Sequence, residues 1–217
     1  MSITRYVPVV QRRGVTVEEG DVETLRLLEP LFGIETHMFF EERIALFHLG
    51  RAAPHGFVAC EIGSYLGGST GFLAAAASLR GGHVHAVDTW LNDAMPDEPG
   101  VDTFDRFLQN TQALAHLITP HRGRAADVAH GVPELDLLFI DGDHSYEGAR
   151  DDLLNYAPKL KPGGLLALHD FSYESVSRAV NDVFAAEQLT VIGTANSLRG
   201  FRLLSPLRPA RQQVNSR

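Results

Sequence analysis

A disulfide framework is excluded at the outset, because cysteine occurs once, at Cys60, in a chain of 217 residues. That cysteine sits in the apolar run Phe57-Val-Ala-Cys60, so it reads as a small core residue rather than a nucleophile. Long apolar runs are lacking too. Nothing approaches the roughly 20 residues a membrane-spanning helix needs, and the opening MSITRYVPVVQRR has no apolar signal core. A soluble cytoplasmic protein with no membrane partner is therefore expected. Positive charge is in deficit: 19 Lys and Arg stand against 27 Asp and Glu, a formal charge of -8. No basic run offsets it, which argues against nucleic acid as a partner. Internal repeats are absent, and 217 residues at 44% hydrophobic composition suit one core better than two.

What is present is an alternation. From Gly56 onward, short apolar runs at 57–62, 83–87, 118–121, 135–140 and 165–168 trade places with helical periods near 70–79, 103–117, 147–160 and 175–187. Two last runs, 190–195 and 200–204, joined by NSLR, suit a terminal antiparallel hairpin. The fold class that follows is α/β: a doubly wound, Rossmann-like, mostly parallel seven-stranded sheet with helices on both faces. Phe104, Phe107, Leu108, Leu114 and Leu117 have the spacing of one buried helical face. Before the first strand, Asp21 is placed to cap a short helix to Leu28, and a second helix is expected over 39–49. These two either lid the crevice or cover a sheet edge. The expected organisation is an N-terminal extension at 1–55, a core at 56–205 and a loosely held tail at 206–217, with residues 1–20 also loosely held.

Also missing is the G-x-G-x-x-G spacing of a dinucleotide loop, which disfavours NAD. The first strand instead exits into Glu61-Ile-Gly63-Ser-Tyr65-Leu-Gly67-Gly68-Ser69-Thr70. Glycines there let a ligand lie on the backbone, and Ser69 or Thr70 is a natural helix cap, needs that S-adenosylmethionine (SAM) would have. The second strand ends in Asp88, suited to a ribose diol, with Trp90 beside it to cover an adenosine or simply to pack. The fourth and fifth strands end in Asp141-Gly-Asp143-His144 and His169-Asp170. In an open parallel sheet such ends face one crevice. Asp143 is equally suited to cap the helix that follows. Glu41, Glu42 and Arg43 read as a solvated helix face. His37, His48, His83, His85, His116, His121 and His130 read as scattered.

In this order, EIGSYLGGS, VDTW, IDGDHSYEG and LKPGGLLALHD resemble class I SAM-dependent methyltransferases over about residues 56–204. Within them the chain is similar to the metal-dependent O-methyltransferases of catechol and caffeoyl-CoA type, and to a bacterial subgroup acting on sugars and other natural products. The resemblance implies that Glu61, Gly63, Tyr65, Gly67 and Ser69 line the methionine end of SAM and that Asp88 holds its ribose. It places Ala126 and Asp127 at the adenine. Asp141 would serve both the cofactor pocket and, with His169 and Asp170, a divalent metal, Mg2+ or Mn2+. A histidine in that set suits Mn, Fe or Zn at least as well as Mg. His144 falls where catechol-type enzymes keep a lysine base.

The implied activity is SAM-dependent O-methylation of a small hydroxylated molecule. A phenol ionises near ~10, so His144, near ~6.5, needs an ion to lower the hydroxyl pKa. The alternative is a SAM-binding protein without transferase activity. The acceptor is expected between Phe39, Phe40, the 91–102 loop and residues after Asp170. Dimerisation is decided by no sequence feature.

Overall fold

The computed structural model describes residues 22–93 and 100–207. Asp21, the loosely held ends at 1–20 and 208–217, and the middle of the 91–102 loop lie outside the described residues.

Seven strands form one sheet in the order β3-β2-β1-β4-β5-β7-β6. They are β1 Val58–Ile62, β2 His83–Asp88, β3 Ile118–Arg122, β4 Leu135–Ile140, β5 Leu160–Leu168, β6 Leu189–Ala195 and β7 Leu198–Leu203. The first five run parallel, while β7 runs against both β5 and β6. Every residue of β4 is buried, as a central parallel strand covered on both faces requires. The chain reverses direction in strand order between β1 and β4, so the crevice lies over the carboxyl ends of those strands.

The helices are α1 Val22–Leu28, α2 Phe40–Ala52, α3 Gly68–Arg80, α4 Phe104–Thr111, α5 Ala125–Val128, α6 Tyr146–Tyr156 and α7 Glu174–Val183. One face of the sheet packs on α2 and α3 through Phe47, Phe72 and the run Ala74–Ala77. The other packs on α6 and α7 through Leu153, Tyr156, Val176 and Val180. Leu28, Leu31 and Met38 join the first cluster, so the segment before β1 shares the core of the sheet.

Several expected details are corrected. The strand expected over 165–168 begins at Leu160, so Pro162 to Gly164 lie inside β5: pairing with β4 jumps from Leu135–Leu160 to Leu137–Leu165, an irregularity that absorbs them. The helix over 103–117 is α4 followed by a 3-10 turn at Gln112–Leu117, and Leu108 is exposed while Phe107 and Leu114 are buried. The hairpin turn is Asn196-Ser197 alone, with Asn196 at φ 49, so Leu198 and Arg199 already pair with β6. That short turn places Ser197 beside the carboxyl end of β5, where its carbonyl accepts from the Phe171 amide at 3.0 Å. His83, His85 and His121 are not scattered: they share one face of β2 and β3, with His85 Nδ1 2.8 Å from His121 Nε2. Burial and this neighbour push the His85 pKa down to about 4.

Among the described residues, no helix is long and apolar enough to cross a membrane.

Candidate active site

A cavity of about 910 Å³ opens over the ends of β1, β2, β4 and β5. Its first wall is the loop between β1 and α3. Gly63 has φ 88, and a Cβ there would stand 2.0 Å from the Asp141 carbonyl oxygen, so only glycine lets this loop touch the end of β4. Gly67 (φ 85) is the N-cap of α3 with no side-chain cap, correcting the expectation that Ser69 or Thr70 would cap the helix. Those two hydroxyls lie inside the first turn and serve Glu61 instead. The amides of the first turn have no partner within the helix, and Gly68 and Ser69 line the cavity: a carboxylate-sized anion fits there. Glu61 itself is wholly buried behind the loop and does not line the cavity. Desolvation pushes its pKa up to about 7, against the opposing bonds from Ser69, Thr70 and Ser64.

Asp88 lines the second wall. Its two oxygens accept from the Tyr65 amide at 2.7 Å and the Trp90 amide at 2.6 Å, which locks the carboxylate toward the cavity with further lone pairs for a diol. Burial raises its pKa, and those two amides oppose the shift. Trp90 is wholly buried under the loop, donates from Nε1 to the Tyr65 carbonyl at 2.8 Å and packs on Phe104 and Phe107. It therefore supports the wall from behind: of its two expected roles, covering an adenosine or packing, the structure shows packing. Of the residues expected at an adenine, Ala126 lines the cavity together with Ala125, whereas Asp127 is exposed outside it.

The third region joins the ends of β4 and β5. Asp141 Oδ1 and Asp170 Oδ2 lie 3.0 and 3.3 Å from His169 Nδ1, and 3.6 and 3.3 Å from His144 Nε2. One ligand atom from each of the four residues falls within 4.8 Å of all the others. Bonds of about 2.0–2.2 Å to zinc-like ions put neighbouring ligand atoms about 3–3.5 Å apart, so the spacing fits a divalent cation. Nδ1 of His169 is buried with no hydrogen-bond partner, a second sign that this point suits an ion. Asp170, at φ 49, bends the chain so that two consecutive side chains face the same point.

Electrostatics agree. Burial disfavours the His169 imidazolium, yet Asp141, Asp170 and Glu42 outweigh it and push the pKa up to about 12. A cation would take the place of that proton. The adjacent His169 ring, 3.3 Å away, holds the Asp170 carboxyl below the usual range. His144, with a half-exposed side chain, is held above the ordinary imidazole pKa by the neighbouring Asp141 carboxylate, burial pulling the other way. The cap of α6 is Ser145, which accepts from the Gly148 amide at 3.0 Å. Asp143 accepts from the Ser145 amide and hydroxyl, so it props the cap rather than being it.

A family described as "Methyltransferase domain" matches residues 60–171. The chain belongs to that methyltransferase family. The uncharacterized protein y4gI of Sinorhizobium fredii is 28% identical to this chain over 99 residues, 45% of this chain and 11% of that protein, so the match covers about a tenth of the relative's length. Among solved structures, the O-methyltransferase NovP has a TM-score of 0.64 at 17% identity over 78% of this chain and 82% of its own. The O-methyltransferase of Bacillus cereus in complex with SAH has 0.64 at 16% over 94% and 100%. TomG of Streptomyces achromogenes, an O-methyltransferase of tomaymycin synthesis in complex with SAM, has 0.59 at 16% over 88% and 92%. At such identities the likeness is one of fold, that of the class I O-methyltransferases.

In this chain, Gly63, Tyr65, Ser69, Asp88, Ala126, Asp141, His144, His169 and Asp170 line one cavity, while Glu61, Gly67, Trp90 and Asp127 do not. Phe39 and Phe40 are absent from the lining too: Phe39 faces solvent and Phe40 stacks on Phe32 at 4.8 Å. Sequence reasoning missed Thr36, His37 and Asp152, which do line it. Burial raises the Asp152 pKa to about 7. A Cβ on Gly142 would meet the Asp152 carboxylate at 3.0 Å, the one local hint in IDGD that something packs there. The largest miss is Glu42, wholly buried and bonded to His169 at 3.0 Å rather than solvated.

Proposed function

We propose that the chain transfers the methyl group of SAM to a hydroxyl oxygen of a small molecule such as a sugar, a phenol or another natural product. The observation that carries this reading is the convergence of the Gly63–Ser69 loop, Asp88, and the Asp141–His144 and His169–Asp170 ends on one cavity. The amides at the start of α3 suit the carboxylate of the methionine moiety, and Asp88 the ribose hydroxyls. Ala125, Ala126 and Asp152 are at hand for the adenine. The sulfonium methyl would then face His144 and Asp170. The O-methyltransferase names of the fold neighbours, and the SAM and SAH bound to two of them, support the same assignment.

SAM is already activated, so the protein's part is to orient the acceptor oxygen and to take its proton. His144 stands at the cavity mouth beside Asp141 and Asp170, with the Tyr173 ring 5.9 Å away. With its pKa raised by Asp141, its Nε2 is a stronger proton acceptor than a free imidazole. Asp141, Asp170 and His169 would hold a divalent ion, which supplies a lowered hydroxyl pKa and a fixed oxygen position.

Calorimetry with SAM, followed by transfer of labelled methyl to a panel of sugars, phenols and diols, tests the reading. Micromolar SAM binding and at least one methylated acceptor are expected. Tight NADH binding without SAM binding would overturn it, and SAM binding without turnover over a broad panel would leave a SAM-binding protein.

A further inference from the structure

Glu42 lies on α2, 127 residues before His169, and its side chain is wholly buried. Its four hydrogen bonds leave little choice of geometry. Oε2 accepts from the Phe39 amide at 2.7 Å and faces His169 Nε2 at 3.0 Å. Oε1 accepts from the Ser197 amide at 3.0 Å and from Ser197 Oγ at 2.8 Å. Ser197 Oγ also lies 3.1 Å from His169 Nε2. Its one proton is committed to Glu42, so toward the ring it can only accept. Two acceptors thus converge on Nε2, and Nε2 must carry the hydrogen. The other nitrogen, Nδ1, is turned toward Asp141 and Asp170 with no hydrogen bond of its own.

We infer that Glu42 is a positioning residue: it fixes the Nε2–H form of His169, aims the Nδ1 lone pair into the ion site, and so makes that site select a nitrogen-accepting transition ion over Mg2+. A carboxylate that takes the far N–H of a metal-binding imidazole fixes its orientation and raises its basicity, and loss of such a partner typically weakens binding about 10–100-fold. Mg2+ gains little from a nitrogen ligand, so the same device separates it from Mn2+, Co2+ or Zn2+. The segment before β1 would thereby help to decide which ion the sheet ends hold. The inference rests on the metal-assisted reading above.

The test is titration of the full chain with Co2+, Zn2+ and Mg2+ without SAM, by calorimetry and by the visible absorption of bound Co2+. The unsubstituted protein should prefer Co2+ and Zn2+ to Mg2+ by more than tenfold. Glu42→Gln should weaken Co2+ about 10–100-fold, shift its absorption band and leave Mg2+ within about twofold. Should Glu42→Gln fold poorly, 15N NMR of the histidines in the unsubstituted Zn2+-loaded protein decides alone: His169 should show Nε2–H with Nδ1 on the metal. Nδ1–H in that sample, equal Co2+ affinity in folded Glu42→Gln, or a preference for Mg2+ would each overturn the inference. If the protein binds SAM but no ion, this inference and the metal assistance fall together while methyl transfer stands.

Discussion

The two halves of the cavity are built in opposite ways. Over β1 and β2 the wall is mostly backbone: a glycine turn, the amides that open α3, and one carboxylate held by two further amides. Over β4 and β5 it is side chains, Asp141, His144, His169 and Asp170, of which His169 is held from α2 and the β6–β7 turn by Glu42 and Ser197. A backbone site is encoded in short local runs, here Gly63–Ser69 and Asp88–Trp90, and tolerates little change in shape. A side-chain site is assembled from distant positions, so it depends on charge and tautomer.

The largest expected effect tests the backbone half. Gly63→Ala puts a Cβ 2.0 Å from the Asp141 carbonyl at a φ of +88. Strain and overpacking together should cost about 4 kcal/mol, read as a fall in the urea midpoint together with loss of SAM binding. A stable, SAM-binding Gly63→Ala protein would show that the loop can move away from β4.

Next comes Glu61, whose carboxyl sits behind that loop with a pKa pushed up to about 7, chiefly by desolvation. In the unfolded chain it titrates near ~4.3. The folded protein therefore binds a proton that the unfolded chain has released over this interval, and stability falls as pH rises from about 4.3 to about 7, then levels. At about 1.4 kcal/mol per unit, the loss amounts to roughly 3–4 kcal/mol. Glu61→Gln, which keeps an acceptor for the Thr70 hydroxyl, should flatten that slope in urea unfolding between pH 5 and 8. An unchanged slope would assign it to another group.

The contrast also explains what could be read in advance. The strand-loop-helix unit, Asp88 and the two polar strand ends are local patterns, and the mostly parallel sheet follows from the alternation of strands and helices. Glu42 could not be found that way. Within Glu41-Glu42-Arg43 it has the composition of a solvated face, and its partners His169 and Ser197 lie 127 and 155 residues further on. Trp90 stays open between two roles in the sequence for a related reason: adjacency to Asp88 does not say which side of a loop a ring takes, and Phe104 and Phe107 supply a pocket behind it. His85 and His121 meet only because β2 and β3 are neighbours in the sheet.

In the side-chain half, His144→Ala should lower turnover about 100-fold, the contribution of a positioned proton acceptor, while SAM affinity stays within about twofold. The half-exposed His144 ring packs little, so stability should hold. Parallel loss of turnover and SAM affinity would make His144 a structural residue.

The smallest expected effect concerns Asp88, the side chain on which the backbone half depends. An asparagine has a single acceptor oxygen, so only one of the amides of Tyr65 and Trp90 would keep its bond, and the other would face an NH2 group. SAM affinity in Asp88→Asn should fall about tenfold, near 1.4 kcal/mol, measured by calorimetry, with Co2+ affinity unchanged. Unchanged SAM affinity would remove the ribose from this wall. A fall in Co2+ affinity would be more telling, because Asp88 belongs to the opposite half, and the cavity would then be one coupled unit rather than two independent walls.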